Sequence, residues 1–150
     1  MCRKQILFLA PLLIFILSVG ACSNSVWDEV PSPISAFISE YFPSSGVSTF
    51  NDNEDNYYVK IKNGATLIFD KEYKWLEIDG NGVPLPETLA YNQFPPALFN
   101  YLQSIEQQSD VYSVKRDKYY YRLTMENTVI SYDISTGKVS YPDGKTVEPA

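Results

Sequence analysis

Residues 57–70 read Tyr57-Tyr58-Val59-Lys60-Ile61-Lys62-Asn63-Gly64-Ala65-Thr66-Leu67-Ile68-Phe69-Asp70. Tyr57, Val59 and Ile61 alternate with Tyr58, Lys60 and Lys62, the period of two that marks a strand. Asn63-Gly64 then signals a hairpin of type I′, and Leu67 and Phe69 continue the apolar alternation on the return strand. The pattern recurs downstream. Tyr119-Tyr120-Tyr121-Arg122-Leu123-Thr124 matches residues 57–62 at an offset of 119 − 57 = 62, and Ile130-Ser131-Tyr132-Asp133 matches 67–70 at 130 − 67 = 63. The intervening hairpin accounts for the one-residue difference, with Glu126-Asn127 in place of Asn63-Gly64 and Asn127 able to take positive φ.

Working outward, Pro31 to Phe42 has the helical period. Ile34, Phe37, Ile38 and Tyr41 fall at i, i+3, i+4 and i+7 and form one apolar stripe. The Pro-Ser-Pro run at 31–33 starts this helix and Pro43 ends it. Pro95, Leu98, Tyr101, Leu102 and Ile105 repeat the spacing, since 95 − 31, 98 − 34, 101 − 37, 102 − 38 and 105 − 41 all equal 64. Val47 and Phe50 correspond to Val111 and Val114 at the same offset. The expected strands are 46–51, 56–62, 65–70 and 73–79, then 110–115, 118–125, 128–133 and 137–141. Leu85 to Tyr91 reads as a short extra helix with Pro86 in its first turn. Strands run consecutively without βαβ alternation, so the expected class is α+β with an antiparallel sheet. The architecture is two tandem repeats, about 31–82 and 85–146, each a helix followed by a four-stranded meander, with the helices on one face.

Strand periodicity assigns side chains to faces. Tyr57, Val59, Ile61, Leu67 and Phe69 point toward the helices, as do Tyr119, Tyr121, Leu123, Ile130 and Tyr132. The other face carries Tyr58, Lys60, Lys62, Thr66 and Ile68, then Tyr120, Arg122, Thr124, Val129 and Ser131. Tyr58 with Lys60 and Tyr120 with Arg122 are matched pairs, each 62 apart. Aromatics, cations and hydroxyls interleave there as they do at interfaces. The face reads either as solvated sheet with two tyrosines lying along it, or as one aromatic–basic strip for a protein or peptide partner.

Tyr41-Phe42-Pro43, the Tyr57–Asp70 hairpin and Trp75 on the next strand together resemble the PepSY-like family. Its members are small exported proteins and lipoproteins, many from Bacteroidetes, also described as β-lactamase-inhibitor-like. The resemblance covers about residues 31–141. It implies a fold like that of the secreted β-lactamase inhibitor proteins, with helices on one side of a concave sheet, and it implies no activity. Two departures stand out. Lys71-Glu72-Tyr73 occupies a turn where the family commonly has Gly, whereas the second copy has Gly137. The tip Asn63-Gly64 also lacks the acid that such an inhibitor inserts into its target.

The 150-residue chain contains no histidine, which excludes Ser-His-Asp and Cys-His catalysis and His-ligated zinc. Twelve basic against 18 acidic residues disfavour nucleic acid as a partner. Two cysteines, Cys2 and Cys22, are too few for a disulfide framework or a four-thiolate metal site. No cofactor or metal is expected. Asn51-Asp52-Asn53-Glu54-Asp55 has the acidity of a calcium loop but lacks its central Gly and distal Glu, so it reads as a turn. Gly144-Lys145-Thr146 resembles the end of a P-loop, but Val139 stands where the earlier Gly belongs; it reads as a polar tail. Asp70 and Asp133 occupy equivalent positions and read as turn-capping Asx residues rather than a catalytic pair. The expected function is a non-enzymatic binding domain. The alternatives are a structural envelope component and a carboxylate-based hydrolase.

Arg3-Lys4 precedes the apolar run from Ile6 to Val19, about the length of a signal h-region and short of a bilayer span. Val19-Gly20-Ala21-Cys22 resembles the lipobox of bacterial lipoproteins. That resemblance implies removal of residues 1–21 and acylation of Cys22 by fatty chains such as palmitate. An ordinary secretory signal with an incidental Cys, or an uncleaved anchor, are the other readings of the stretch. Cleavage would leave 10 basic and 18 acidic residues, a net charge of −8. The expected location is the cell envelope, anchored to the outer membrane, with residues 22–30 as a tether to a domain spanning 31–146.

Overall fold

The computed structural model describes residues 26–149 and, ahead of them, the backbone of two short paired strands, Leu7–Leu9 (β1) and Leu13–Phe15 (β2). Cys22 and most of the signal stretch lie outside the described residues. The segment read as a tether is already structured at Val26–Glu29, a 3-10 turn lying beside the sheet edge. Val30 is buried and Trp27 packs against the core. The folded body therefore begins at Val26 rather than Pro31, because Val30 and Trp27 are apolar enough to be drawn in.

Pro31-Ser32-Pro33 opens α1 (Ser32–Tyr41), where the fixed φ of proline suits a first turn. The helix ends as the Phe42 N–H donates to the Ile38 carbonyl at 2.7 Å, just before Pro43. Four strands follow: β3 (Val47–Asp52), β4 (Asn56–Ile61), β5 (Thr66–Asp70) and β6 (Trp75–Asp79). Two helices, α2 (Glu87–Gln93) and α3 (Pro96–Ser104), then lead to β7 (Val111–Arg116), β8 (Tyr120–Met125), β9 (Val129–Asp133), β10 (Val139–Ser140) and β11 (Thr146–Val147). Each strand from β3 to β11 pairs antiparallel with the next, forming one open nine-stranded sheet in chain order. The fold is α+β, with three α-helices among the described residues.

Alternation places the core as expected. β4 and β5 bury every second residue: Tyr57, Val59 and Ile61, then Leu67 and Phe69. Ile34, Ile38, Leu98, Tyr101 and Leu102 from the helices join them in a single cluster with Val114, Leu123, Ile130 and Tyr132. Phe37 is only half-buried, but its ring meets Phe69 edge-on at 5.4 Å. A polar chain ties the layers together. Trp75 Nε1 donates to Gln93 Oε1 at 3.0 Å, and Gln93 Nε2 donates to the Tyr41 hydroxyl at 2.9 Å, linking β6, α2 and α1.

Several local expectations are corrected. Tyr119 is 58% exposed rather than core. Asp117 Oδ1 accepts the N–H groups of Tyr119 and Tyr120 at 2.8 and 2.9 Å, and this turn delays the strand to Tyr120. At the first hairpin only Asn63 takes positive φ (54°), so the turn is not type I′. At Gly64 a Cβ would stand 3.0 Å from Ile61 Cγ2, so a larger residue there would push that side chain by a few tenths of an ångström. Asn127 does not take positive φ either. The type I′ signature lies at Asn81-Gly82, with φ of 53° and 89°. The tail is not merely polar: β11 pairs Val147 with Val139. Its hairpin is set by Gly144 at φ 88° and by Asp143 Oδ1 accepting the Lys145 N–H at 2.8 Å.

Candidate functional site

All three helices pack on the Val59–Leu67–Phe69 side, which leaves the opposite sheet face uncovered among the described residues. Strand register fixes the order of side chains across it. Tyr58 lies opposite Ile68, Ile68 opposite Glu77, Glu77 opposite Lys115, Lys115 opposite Arg122 and Arg122 opposite Ser131. Tyr58 and Lys60 sit on β4, Tyr120 and Arg122 on β8. Four strand spacings of about 4.8 Å separate the pairs by roughly 19 Å. The structure thus shows two aromatic–cation patches with a mixed stretch of Ile68, Glu77 and Lys115 between them, not one joined strip. Matched spacing along the chain carries no information on strand order.

Lys60, Lys115 and Arg122 on this face each have a partner. Lys60 Nζ donates to the Gly64 carbonyl at 2.5 Å and the Ile61 carbonyl at 3.3 Å. Lys115 lies 3.5 Å from Glu77. Arg122 lies 3.3 Å from Asp117 and rests over the Tyr120 ring, its Cζ 5.1 Å from the centroid. These pairs fix the cations along the sheet and leave the tyrosine rings as the large half-exposed groups of the two patches. Asp117 accepts from the N–H groups of Tyr119 and Tyr120 and from Arg122, and these bonds hold its carboxyl below the ordinary 3.8. A depressed carboxyl contributes stability above its unfolded value, lost as pH falls through the folded one. We expect an NMR titration of Asp117 to show a midpoint below 3.8. The Arg122 side-chain resonances should shift with it; an ordinary midpoint would mean the patch is not held together by this acid.

Asp70 and Asp133 cap turns as expected. Asp70 Oδ1 accepts the N–H groups of Glu72 and Lys74, both at 2.9 Å. Asp133 Oδ1 accepts from the Ser135 N–H at 2.8 Å, the Ser135 hydroxyl at 2.7 Å and the Thr136 N–H at 3.1 Å. Their strands, β5 and β9, are four spacings apart, roughly 19 Å, too far for one reacting centre. A groove of about 410 Å³ between α2 and α3 carries a single carboxylate, Glu87, beside Tyr91 and Phe99. Neither arrangement supplies the paired acids of a hydrolase.

Two clusters escaped the sequence reading. Arg116 Nε donates to the Trp75 carbonyl at 2.7 Å while its guanidinium lies 3.9 Å over the indole ring, bracing β6 against β7. Near the β3 edge, Phe50, Tyr57 and Tyr73 stack in series at 5.9 and 5.4 Å. Lys71 Nζ lies 3.8 Å over Tyr57 and 2.5 Å from Asp52. Tyr73 adopts φ 67° in the turn after Asp70, and Gly137 stands at φ 73° in the turn after Asp133. The lack of a glycine in Lys71-Glu72-Tyr73 was the available signal. Left-handed backbone at a bulky residue costs about 1–3 kcal/mol, partly offset by about 0.5–1.5 kcal/mol per aromatic pair. Tyr73→Ala keeps the strain and loses the stack, whereas Tyr73→Gly loses both. We expect thermal melts to rank Tyr73→Gly above Tyr73→Ala; the reverse order would show that this turn is unstrained.

The family model described as putative beta-lactamase-inhibitor-like, PepSY-like, matches residues 25–76 and 55–139. The chain belongs to the PepSY-like family. PepSY-like identity fits the hairpin, the Trp75 strand and the helices on one face. Solved structures of similar proteins come from Bacteroides. A protein from Bacteroides vulgatus, described as a putative periplasmic protein of unknown function, is 24% identical with a TM-score of 0.61, covering 75% of this chain and 93% of its own. A protein from Bacteroides thetaiotaomicron, described as a putative calcium-regulated periplasmic protein, is 25% identical with a TM-score of 0.60, covering 73% and 87%. A second protein from Bacteroides vulgatus, described as a putative periplasmic protein from the DUF2874 family, is 21% identical with a TM-score of 0.61, covering 81% and 90%. These likenesses extend the shared fold across most of the PepSY-like chain. No curated protein sequence matches it. No helix among the described residues is long and apolar enough to cross a membrane.

Proposed function

We propose that this PepSY-like chain is a non-enzymatic, lipid-anchored envelope protein whose uncovered sheet face binds a protein or peptide partner. The observation that carries the reading is the pair of half-exposed tyrosines, Tyr58 and Tyr120, on the sheet face that no helix covers among the described residues. Burial does not require a tyrosine at either place, while tyrosine is enriched at interface hot spots. The neighbouring cations are held by Gly64, Glu77 and Asp117, so little ordering remains for a partner to impose. The repeat reading belongs to this proposal: Tyr58 and Tyr120 are then one position of a unit used twice, and the matching Asx turns at Asp70 and Asp133 support it. The anchor rests on the lipobox-like run ending at Cys22, and the periplasmic neighbours support an exported location. The calcium regulation in the Bacteroides thetaiotaomicron protein's description is said of that protein and is not carried over.

The test is a cross-linking pull-down from membranes with the lipidated protein and with Tyr58→Ala/Tyr120→Ala. The double variant is expected to keep its thermal midpoint within a few degrees and to lose the partner captured by the parent. A folded double variant that keeps the partner would leave the face as bland surface and favour the structural-component alternative.

A further inference from the structure

Resting on the anchor reading above, we propose that the lipid anchor fixes the domain's orientation. The β3 edge stands against the bilayer, and the β8–β11 half of the sheet points away from it. Only Ser23, Asn24 and Ser25 separate Cys22 from Val26, where the folded body begins. Four residue steps span at most about 14 Å even when fully extended. A compact body of this length is roughly 35 Å across, so the link is less than half the width of what it holds. The body is also gripped at its point of entry. Val30 is buried, its N–H donates to the Trp27 carbonyl at 3.2 Å, and Trp27 packs on the core. The Val26–Glu29 turn lies beside β3, the first edge of the sheet.

Because the strands follow one another in chain order, distance from β3 is counted directly. β4 is one spacing away, β8 five and β10 seven, so β10 lies roughly 34 Å from the edge near which the chain enters. Two consequences follow. The longer sheet edge among the described residues, β3, faces the lipid surface and not a passing strand, which protects it from edge-to-edge association. The Tyr58 patch lies close to the membrane while the Tyr120–Arg122 patch lies outward, so a partner arriving from the surrounding compartment meets Tyr120 first.

The probe is the lipidated chain in nanodiscs of zwitterionic phosphatidylcholine containing a headgroup-nitroxide lipid, with amide relaxation read by NMR. Relaxation enhancement is expected to be several-fold larger in residues 47–52 than in 139–147. Inserting about 20 Gly/Ser residues between Asn24 and Ser25, with an r.m.s. span of roughly 25 Å, should abolish that difference. Equal enhancement at both edges, or a larger one at 139–147, overturns the proposal. So does a difference that survives the insertion, since orientation would then come from lipid contacts and not from the short link. Intact mass separates the two failures. Protein without acyl groups on Cys22 defeats the anchor reading and this inference together, whereas acylated protein with uniform enhancement defeats this inference alone.

Discussion

Phe69→Ala is expected to lower the unfolding free energy by about 3–5 kcal/mol. Phe69 is 1% exposed on the inner face of β5, opposite Tyr57 on one neighbour and Trp75 on the other. Its ring also receives Phe37 of α1 edge-on. Truncation removes a large apolar side chain and leaves a cavity that a nine-stranded sheet cannot collapse to fill, because the flanking backbones are held by their ladders. For a body of this size each kcal/mol moves the midpoint by a few degrees, so the melt should fall by about 10 °C or more. A near-parental melt would mean that the α1–sheet packing described here is not what holds the molecule together.

Cys22→Ser is the second large effect, and it concerns location rather than stability. The parent is expected to start at Cys22 by intact mass, to carry acyl groups and to sediment with membranes. The variant should appear in the soluble exported fraction or keep its signal uncut. Two or three chains on Cys22 anchor stably where one alone is marginal, so the shift should be nearly complete. The thermal midpoint of the folded body should not move, since that body begins at Val26. Unmodified parent protein retaining Met1 would contradict the anchor.

The parts of the fold that were legible in the sequence are those carried by a period. Alternation at 57–61 and 67–69 placed Val59, Leu67 and Phe69 inside, and helical spacing placed Ile34, Ile38, Leu98 and Leu102 against them. Turn geometry was less legible because one motif fits several turns. Asn63-Gly64 and Asn81-Gly82 look alike, and only the second has both residues at positive φ. Tyr119 failed for a local reason, as a side-chain carboxylate at Asp117 competed with the ladder for two backbone donors. β11 was missed because two residues carry no readable period. The candidate face was legible in which residues it holds and illegible in how far apart they lie. Residue spacing within a strand follows from sequence, whereas the separation of Tyr58 from Tyr120 depends on strand order, in which β5, β6 and β7 intervene.

In the proposed function the uncovered sheet face, and not the helix side, meets the partner. Site-specific photo-cross-linking tests it most directly, with p-benzoylphenylalanine placed in turn at Tyr58, at Tyr120 and at Tyr91, which is 68% exposed on α2 on the opposite side. A discrete adduct is expected in membranes from position 120 and from position 58, and none from position 91. An adduct from position 91 with none from the sheet face would contradict it.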